Sequence, residues 1–335
     1  MMLLSLPSSA ASSSGYATVF VYHRFGDLRY PTTSVSMEDF EKQMAYLKEN
    51  NYNVISLKQL YEIVSSGRPI PPKTVVITVD DGYRTTMKAF KVLRKYHFPF
   101  TVFLYMEAIG RYPDFLTYED IKKLKSSGLV DFENHLFSHP DLAYFRAKLS
   151  EKEYLDLLKK EVKLSEDKFL RLFGRKPIFL AFPYGSYDRL SVDFLKKRGY
   201  KLLLTQDRGS YKGGLLVPRM AVVGSQSSFE KFVKDLKVEP LPVTSSIPGY
   251  GAVKKRQFEV YFKLDNPAGY TGCSIYASGL GWVKAEKKGK FVYSQKPVKA
   301  IKPKTRLGIR CFDRETGRIA EYFYLTIVLP ILTDK

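Results

Sequence analysis

Between Ala17 and about Leu236 the chain alternates two textures. Short apolar, β-branched and aromatic runs occur at "TVFVY" (18–22), "NVISL" (53–57), "VVITV" (75–79), "TVFLY" (101–105), "VDFEN" (130–134), "IFLAF" (178–182) and "KLLLT" (201–205), each short enough to be a buried strand. Between them, apolar residues recur at helical spacing. Phe40, Met44 and Leu47 share one face behind Ser36, a capping residue, and the Leu-, Lys- and Glu-rich stretch from Ser150 to Phe173 stops at Gly174. This alternation predicts a parallel α/β architecture, either an open doubly wound sheet or a barrel. Seven strands suffice to close a barrel, and no glycine-rich phosphate loop follows the first strand, which weakens the nucleotide-binding version.

After the Pro-, Ser- and Gly-rich "VEPLPVTSSIPGYG" (238–251) the pattern changes. "RQFEVYFKL", "GCSIYAS", "GKFVYSQ", "TRLGIRCFD" and "RIAEYFYLTIVL" are short alternating strands, with "DRETGR" as a hairpin turn. The expected organisation is an α/β barrel over 17–237, a linker over 238–250 and an all-β, sandwich-like domain over 251–335. Trp282 and the tyrosines of that last domain either form a flat sugar-binding platform or fill its core. Filling is favoured, because aromatic side chains dominate burial in small cores.

Composition narrows the functional classes. With 335 residues, 44% hydrophobic and 26% charged, the chain can bury a large core and a smaller one. The net charge is +20, and residues 251–335 carry 17 Lys and Arg against 7 Asp and Glu. A basic bias suits an anionic cell-wall polymer as partner, although a solvated basic surface explains it more simply. No RNA-recognition signature, helix-turn-helix or zinc-finger spacing accompanies the charge, so no nucleic-acid partner is expected. Cys273 and Cys311 lie in strand-like segments and either pair or remain two buried thiols. Residues 1–16 begin with a very short apolar stretch followed by small residues but no basic start, an incomplete export signal. No run of about twenty apolar residues follows, so no transmembrane segment is expected.

Polar residues collect at strand ends. In parallel α/β folds the active site is built at the C-terminal ends of the strands. His23 follows "TVFVY", Asp80 and Asp81 follow "VVITV", His135 follows "VDFEN", and Pro183, Tyr184 and Gly185 follow "IFLAF". Of the 4 histidines, His23, His135 and His139 fall on that rim, whereas His97 lies in a helix-to-strand connection on the opposite one, where a structural role is expected. His135 and His139 stand four apart; with a carboxylate from another strand end they make a two-histidine, one-carboxylate set. That set suits a divalent metal and leaves positions for water and substrate. The paired aspartates then divide labour: one binds the cation, and the other stays off it as a general base, their repulsion offset by the cation. The alternative is that Asp80-Asp81-Gly82 caps a helix starting near Tyr83.

Three motifs in this order resemble the polysaccharide deacetylases, carbohydrate esterase family four, over residues 17–236. "TVDDG" (78–82) resembles the family's Thr-Phe-Asp-Asp-Gly, "HLFSHP" (135–140) its His-Ser/Thr-x-x-His-Pro, and "AFPYG" (181–185) its Arg-x-Pro-Tyr. The resemblance implies a distorted (β/α)7 barrel and metal-dependent N-deacetylation of amino-sugar polymers outside the cytoplasm, with Asp80 as base and Asp81, His135 and His139 as ligands. The ion is zinc by default; nickel or cobalt suits the same ligands. The backbone at Pro183 and Tyr184 would steady the oxyanion, and Tyr184 would contact sugar.

The departures are specific. Leu136 stands where the family has Ser or Thr, removing a hydrogen bond that steadies the histidines unless another group supplies it. Ala181 replaces the arginine that orients the base; Arg219, in "LLVPRMAV", is the candidate replacement. The C-terminal Leu-x-His is absent from "LLLTQ" (202–206), leaving His23 as the remaining rim histidine. Its placement is similar to that in the biofilm exopolysaccharide deacetylases acting on poly-β-1,6-N-acetylglucosamine, which implies that His23 is the general acid, its ring oriented by Asp27 or Asp141. The rival expectations are a weakly active or inactive polysaccharide-binding relative and a deacetylase of peptidoglycan or chitin oligomers.

Overall fold

The computed structural model describes residues 15–330, so residues 1–14, and with them nearly all of the expected export signal, lie outside the described residues. All seven expected strands form: β1 (Ala17–Tyr22), β2 (Asn53–Val54), β3 (Thr74–Val79), β4 (Phe100–Leu104), β5 (Val130–Asn134), β6 (Phe179–Ala181) and β7 (Leu202–Leu204). Two short ones follow, β8 (Leu216–Val217) and β9 (Met220–Ala221). The second strand stops early because Ser56 is taken by the next helix, where it forms a reciprocal capping box with Gln59. The strands pair in parallel in the order β8-β7-β6-β5-β4-β3-β1-β9, with β2 beside the start of β3. The two edge strands, β8 and β9, are joined only through Pro218 and Arg219. So short a connection forces the sheet to curl until its edges approach, which gives the distorted (β/α)7 barrel.

The strands are apolar on both faces because helices cover the outside while side chains fill the inside. All six residues of β1 and all six of β3 are buried. Helix α1 (Met37–Glu49) starts at Ser36, whose hydroxyl accepts the Asp39 N–H, and buries Phe40, Met44 and Leu47, as its spacing predicts. Each such side chain contributes roughly 1.5–3 kcal/mol through burial. The remaining helices are α2 (Leu57–Ser65), α3 (Thr86–Tyr96), α4 (Tyr118–Ser126), α5 (Leu142–Lys148), α6 (Glu151–Phe173), α7 (Arg189–Arg198) and α8 (Phe229–Asp235). The longest, α6, begins with a Ser150–Glu153 capping box and ends at Gly174 in the left-handed region.

The C-terminal strands form one continuous nine-stranded sheet that curls around its own core. They are β10 (Glu239–Pro240), β11 (Val243–Ile247), β12 (Gly251–Val253), β13 (Tyr261–Leu264), β14 (Tyr270–Ala277), β15 (Gly281–Lys288), β16 (Phe291–Ser294), β17 (Lys304–Asp313) and β18 (Ile319–Val328). Their order is β10-β18-β17-β14-β15-β16-β13-β11, with β12 on β18. Residues 238–250, expected as a linker, therefore supply the strands at the two ends of that order, β10 and β11, where proline is tolerated because one side of the strand needs no ladder partner. The core holds Val260, Phe262, Ile275, Leu307, Ile309 and Tyr324. Trp282 is not in it. Val283 pairs with Ile275 on the inner face, so the period of two turns Trp282 and its partner Tyr276 outward. There Trp282 is 41% exposed, with the Arg310 guanidinium 4.2 Å above its ring. Cys273 and Cys311 are joined by a disulfide between β14 and β17. Leu325 and Ile327 of β18 share a hydrophobic cluster with Leu180, Phe182, Tyr187 and Leu203 of the barrel.

Candidate active site

The register of the barrel brings the polar strand ends together. Tyr22 pairs with Val79, so the next residues, His23 and Asp80, stand side by side on the rim, and the Asp80 N–H donates to the Tyr22 carbonyl. Asp81 then takes a left-handed φ of 70° and its carbonyl accepts the Tyr105 N–H. Gly82 completes the turn at φ 76°, where a Cβ would lie 2.8 Å from Leu104 Cδ2. The aspartates do not cap a helix: α3 starts at Thr86, behind Thr85.

The loop after β5 carries both candidate ligand histidines, His135 and His139. Leu136 and His139 have φ of 63° and 59°, and Tyr184 one of 55°. With Asp81, these are four of the seven non-glycine residues in the left-handed region among the described residues. Such conformations cost roughly 1–3 kcal/mol each and persist where surrounding contacts over-determine them. Those contacts are present. The Leu136 N–H donates to Asn134 Oδ1, and the Glu161 carboxylate on α6 accepts the N–H groups of Phe137 and Ser138 and the Ser138 hydroxyl. The bond forfeited at Leu136 is replaced from the backbone: His135 Nδ1 donates to the Ala181 carbonyl at 2.7 Å.

That bond fixes the chemistry of the other ring nitrogen. A carbonyl only accepts, so the proton sits on Nδ1 and neutral His135 presents a lone pair at Nε2. It faces Asp81 Oδ1 at 3.2 Å, and His139 Nε2 faces the same oxygen at 3.0 Å. This oxygen is buried and makes no well-formed hydrogen bond. One ligand atom from each of Asp81, His135 and His139 lies within 4.8 Å of the others. Convergent lone pairs and a buried carboxylate fit a divalent cation of the kind that accepts nitrogen and oxygen ligands.

Asp80 sits beside this cluster in a different environment. Arg219, fully buried, clamps it with two parallel bonds, Nη1 to Oδ1 at 2.7 Å and Nη2 to Oδ2 at 2.8 Å. The same guanidinium is anchored to the Thr205 carbonyl and the Thr78 hydroxyl. Burial opposes charge on Asp80, but the Arg219 guanidinium outweighs it and holds the carboxyl below its ordinary range. Burial likewise opposes charge on Asp81; where the two imidazoles carry protons on the nitrogens that face it they prevail, and the carboxyl is held well below that range. His135 moves the other way: burial disfavours its cation, yet Asp80 and then Asp81 pull its pKa upward.

His23 is set between burial, which pushes its pKa down, and the opposing pull of Asp81 and Asp80. Neither carboxylate expected to orient it does so. Its buried Nδ1 has no hydrogen-bond partner among the described residues. Asp27 is captured by Arg24 and Arg29, and Asp141 caps α5 and accepts the Ser186 hydroxyl. Pro183, Tyr184 and Gly185 form a tight turn just beyond β6, and the half-exposed Tyr184 ring packs edge-on against His139, with centroids 4.6 Å apart. Sequence reasoning missed Glu161; on a long amphipathic helix it reads as one more solvent-facing acid. His97 ends α3 in the left-handed region, a structural place.

Residues 67–203 match the sequence model of the family described as polysaccharide deacetylase. The chain is 29% identical over 218 residues to the poly-β-1,6-N-acetyl-D-glucosamine N-deacetylase of Staphylococcus epidermidis, covering 60% of this chain and 72% of that protein. It is 24% identical over 240 residues to the protein of the same name from Staphylococcus aureus MRSA252, covering 69% and 81%. Among solved structures, IcaB from Ammonifex degensii superposes with a TM-score of 0.58 at 24% identity, over 66% of this chain and 97% of its own. The Streptococcus pyogenes deacetylase PplD, in complex with acetate, gives 0.59 at 22% identity, over 67% and 99%. These two likenesses concern the fold.

Proposed function

We propose, from the match of residues 67–203 to the polysaccharide deacetylase family model and the likeness to two named N-deacetylases, that the chain is a polysaccharide deacetylase that hydrolyses the N-acetyl groups of N-acetylglucosamine units in an exopolysaccharide, with poly-β-1,6-N-acetylglucosamine as the favoured polymer. The observation that carries this reading is the pairing of two unlike carboxylates on one rim. Asp81 meets two imidazole nitrogens at 3.2 and 3.0 Å, and Asp80 is held off that cluster by Arg219. A cation bound by Asp81, His135 and His139, with zinc the first choice and nickel or cobalt compatible, supplies Lewis acidity that polarises the acetyl carbonyl and acidifies water.

The chain's own residues do the rest. Asp80, kept ionised by Arg219, takes a proton from the attacking water as its oxygen bonds to the carbonyl carbon. The backbone N–H at Tyr184 donates to the developing oxyanion, and Pro183 fixes the turn that aims it. His23, beside Asp80 on the next strand, passes a proton to the nitrogen as the carbon–nitrogen bond breaks; burial makes its imidazolium a stronger acid than a solvated one. Acetate and a free amine leave. A weakly active or inactive glycan-binding relative was the rival expectation because the base-orienting arginine at Ala181 and the Leu-x-His are both absent; Arg219 against Asp80 and His23 beside it support the catalytic reading.

The polymer places the work outside the cytoplasm, and the Cys273–Cys311 disulfide suits an oxidising compartment. No helix among the described residues is long and apolar enough to cross a membrane. The test is acetate release from poly-β-1,6-N-acetylglucosamine, chitin oligomers and peptidoglycan, with chelator and after adding zinc, cobalt or nickel. Chelator-sensitive release, fastest on the first polymer, is expected; glycan retained without acetate released overturns the proposal.

A further inference from the structure

Two cations of the C-terminal sheet reach into the turn that carries Tyr184. Lys304, the first residue of β17, donates from Nζ to the Tyr184 carbonyl at 2.7 Å and to Ser186 Oγ at 2.6 Å. Arg306, on the same strand, directs Nη2 at the carbonyls of Tyr184 and Gly185, at 3.4 and 3.5 Å. Gly185 is fitted to that approach, since a Cβ there would lie 2.6 Å from Arg306 Nη2. Gly185 takes its left-handed φ of 59° freely, but Tyr184, at 55°, holds a conformation its side chain disfavours and that outside contacts must maintain.

The same contacts run on toward the ligand loop and the base. The Ser186 hydroxyl donates to Asp141 Oδ1 at 2.5 Å, and Asp141 caps α5 two residues after His139. Arg306 Nε donates to Asp207 Oδ1 at 3.2 Å, and the Asp207 backbone carbonyl accepts the Arg219 N–H at 2.9 Å. Arg219 in turn clamps Asp80. Nothing in the barrel sequence supplies equivalent cations at this turn among the described residues.

We propose that Lys304 and Arg306 are positioning residues for the Tyr184 backbone, so that the C-terminal sheet is a working part of the active site and not an attached module. This rests on the deacetylase reading above for its effect on turnover, but not for its effect on the turn. The full-length, metal-loaded chain is compared with Lys304→Met, Lys304→Arg and the double variant Lys304→Met with Arg306→Met. Misplacing a group by about an ångström costs up to roughly 100-fold in rate. Lys304→Met should therefore lower kcat for acetate release by about 10- to 100-fold with KM nearly unchanged. Metal content and melting temperature should stay at the wild-type value, Lys304→Arg should regain most of the rate, and the double variant should lose more. Amide hydrogen exchange at residues 184–186, which needs no substrate, should speed up in Lys304→Met and stay slow in Lys304→Arg. Unchanged exchange there, or a kcat for the double variant within about twofold of wild type, overturns the proposal. A wild-type chain inactive on every glycan would instead overturn the deacetylase reading, while the exchange measurement still decides whether these cations hold the turn.

Discussion

Asp80 and Asp81 are adjacent, buried and chemically unlike because their partners differ: an arginine for one, two imidazoles for the other. Asp80→Asn keeps the shape but cannot take a proton, so turnover should fall by roughly 10²- to 10⁴-fold while metal content, read by atomic absorption, is unchanged. Arg219 is the more exacting test. With the guanidinium in place the Asp80 pKa is depressed, so the ion pair's contribution to stability is complete at neutral pH, where the unfolded carboxyl is also ionised. It is lost only as pH falls through the depressed folded value. Arg219→Met leaves Asp80 buried without its partner, so burial then raises the pKa and the acid limb of the rate profile should move to higher pH. Breaking a fully buried pair also costs about 3–5 kcal/mol, measurable by urea unfolding. An acid limb at the wild-type position in a folded Arg219→Met chain would remove Arg219 from any role in tuning the base.

At the scale of elements, the barrel strands and the three motifs were legible because each is written in contiguous residues. An apolar run ends, a polar residue follows, and the parallel fold puts every such end on one rim. What supports the motifs was not legible, because it arrives from far along the chain. Glu161 acts on Phe137 and Ser138 from the middle of α6, and the replacement for the bond lost at Leu136 is a main-chain carbonyl, that of Ala181, which no residue identity encodes. Arg219 was visible as a candidate only because Ala181 left a known place empty. Glu161→Ala removes three acceptor contacts from the ligand loop while sparing every ligand. Partners of this kind typically contribute 10- to 100-fold to metal affinity. Zinc affinity measured by chelator competition should fall by about that factor, with the helical circular dichroism retained. Glu161→Gln, whose remaining oxygen can still accept the two N–H groups, should lose less. Equal affinities for wild type and Glu161→Ala would mean that the loop holds its left-handed residues without α6.

Across the whole molecule, the textural break near residue 238 marks a change of architecture but not a separation. Proline, serine and glycine suggested a linker there, yet they also suit the edge strands that those residues form. Apolar side chains of β18 complete a cluster of the barrel, and ionic contacts cross the same boundary. Arg208, in the loop after β7, bonds Asp235 of α8 and Glu321 of β18, each at 2.6 Å, and Arg310 of β17 also bonds Glu321 at 2.6 Å. Glu321 is almost fully buried and its two arginine partners are only partly so, with Arg208 still paired to Asp235, so Glu321→Ala should destabilise by about 1–3 kcal/mol. Two probes show whether that loss is shared. Trp282, the 1 tryptophan of the chain, reports on the C-terminal sheet by fluorescence, whereas every α-helix among the described residues lies in the barrel and dominates the circular dichroism. A shared apolar cluster and a bridging buried carboxylate couple the two units, so the fluorescence and helical transitions of the wild type should coincide. In Glu321→Ala both should shift together. A helical transition that stays in place while the Trp282 transition moves would mean that the barrel folds independently of the sheet that reaches its active-site turn.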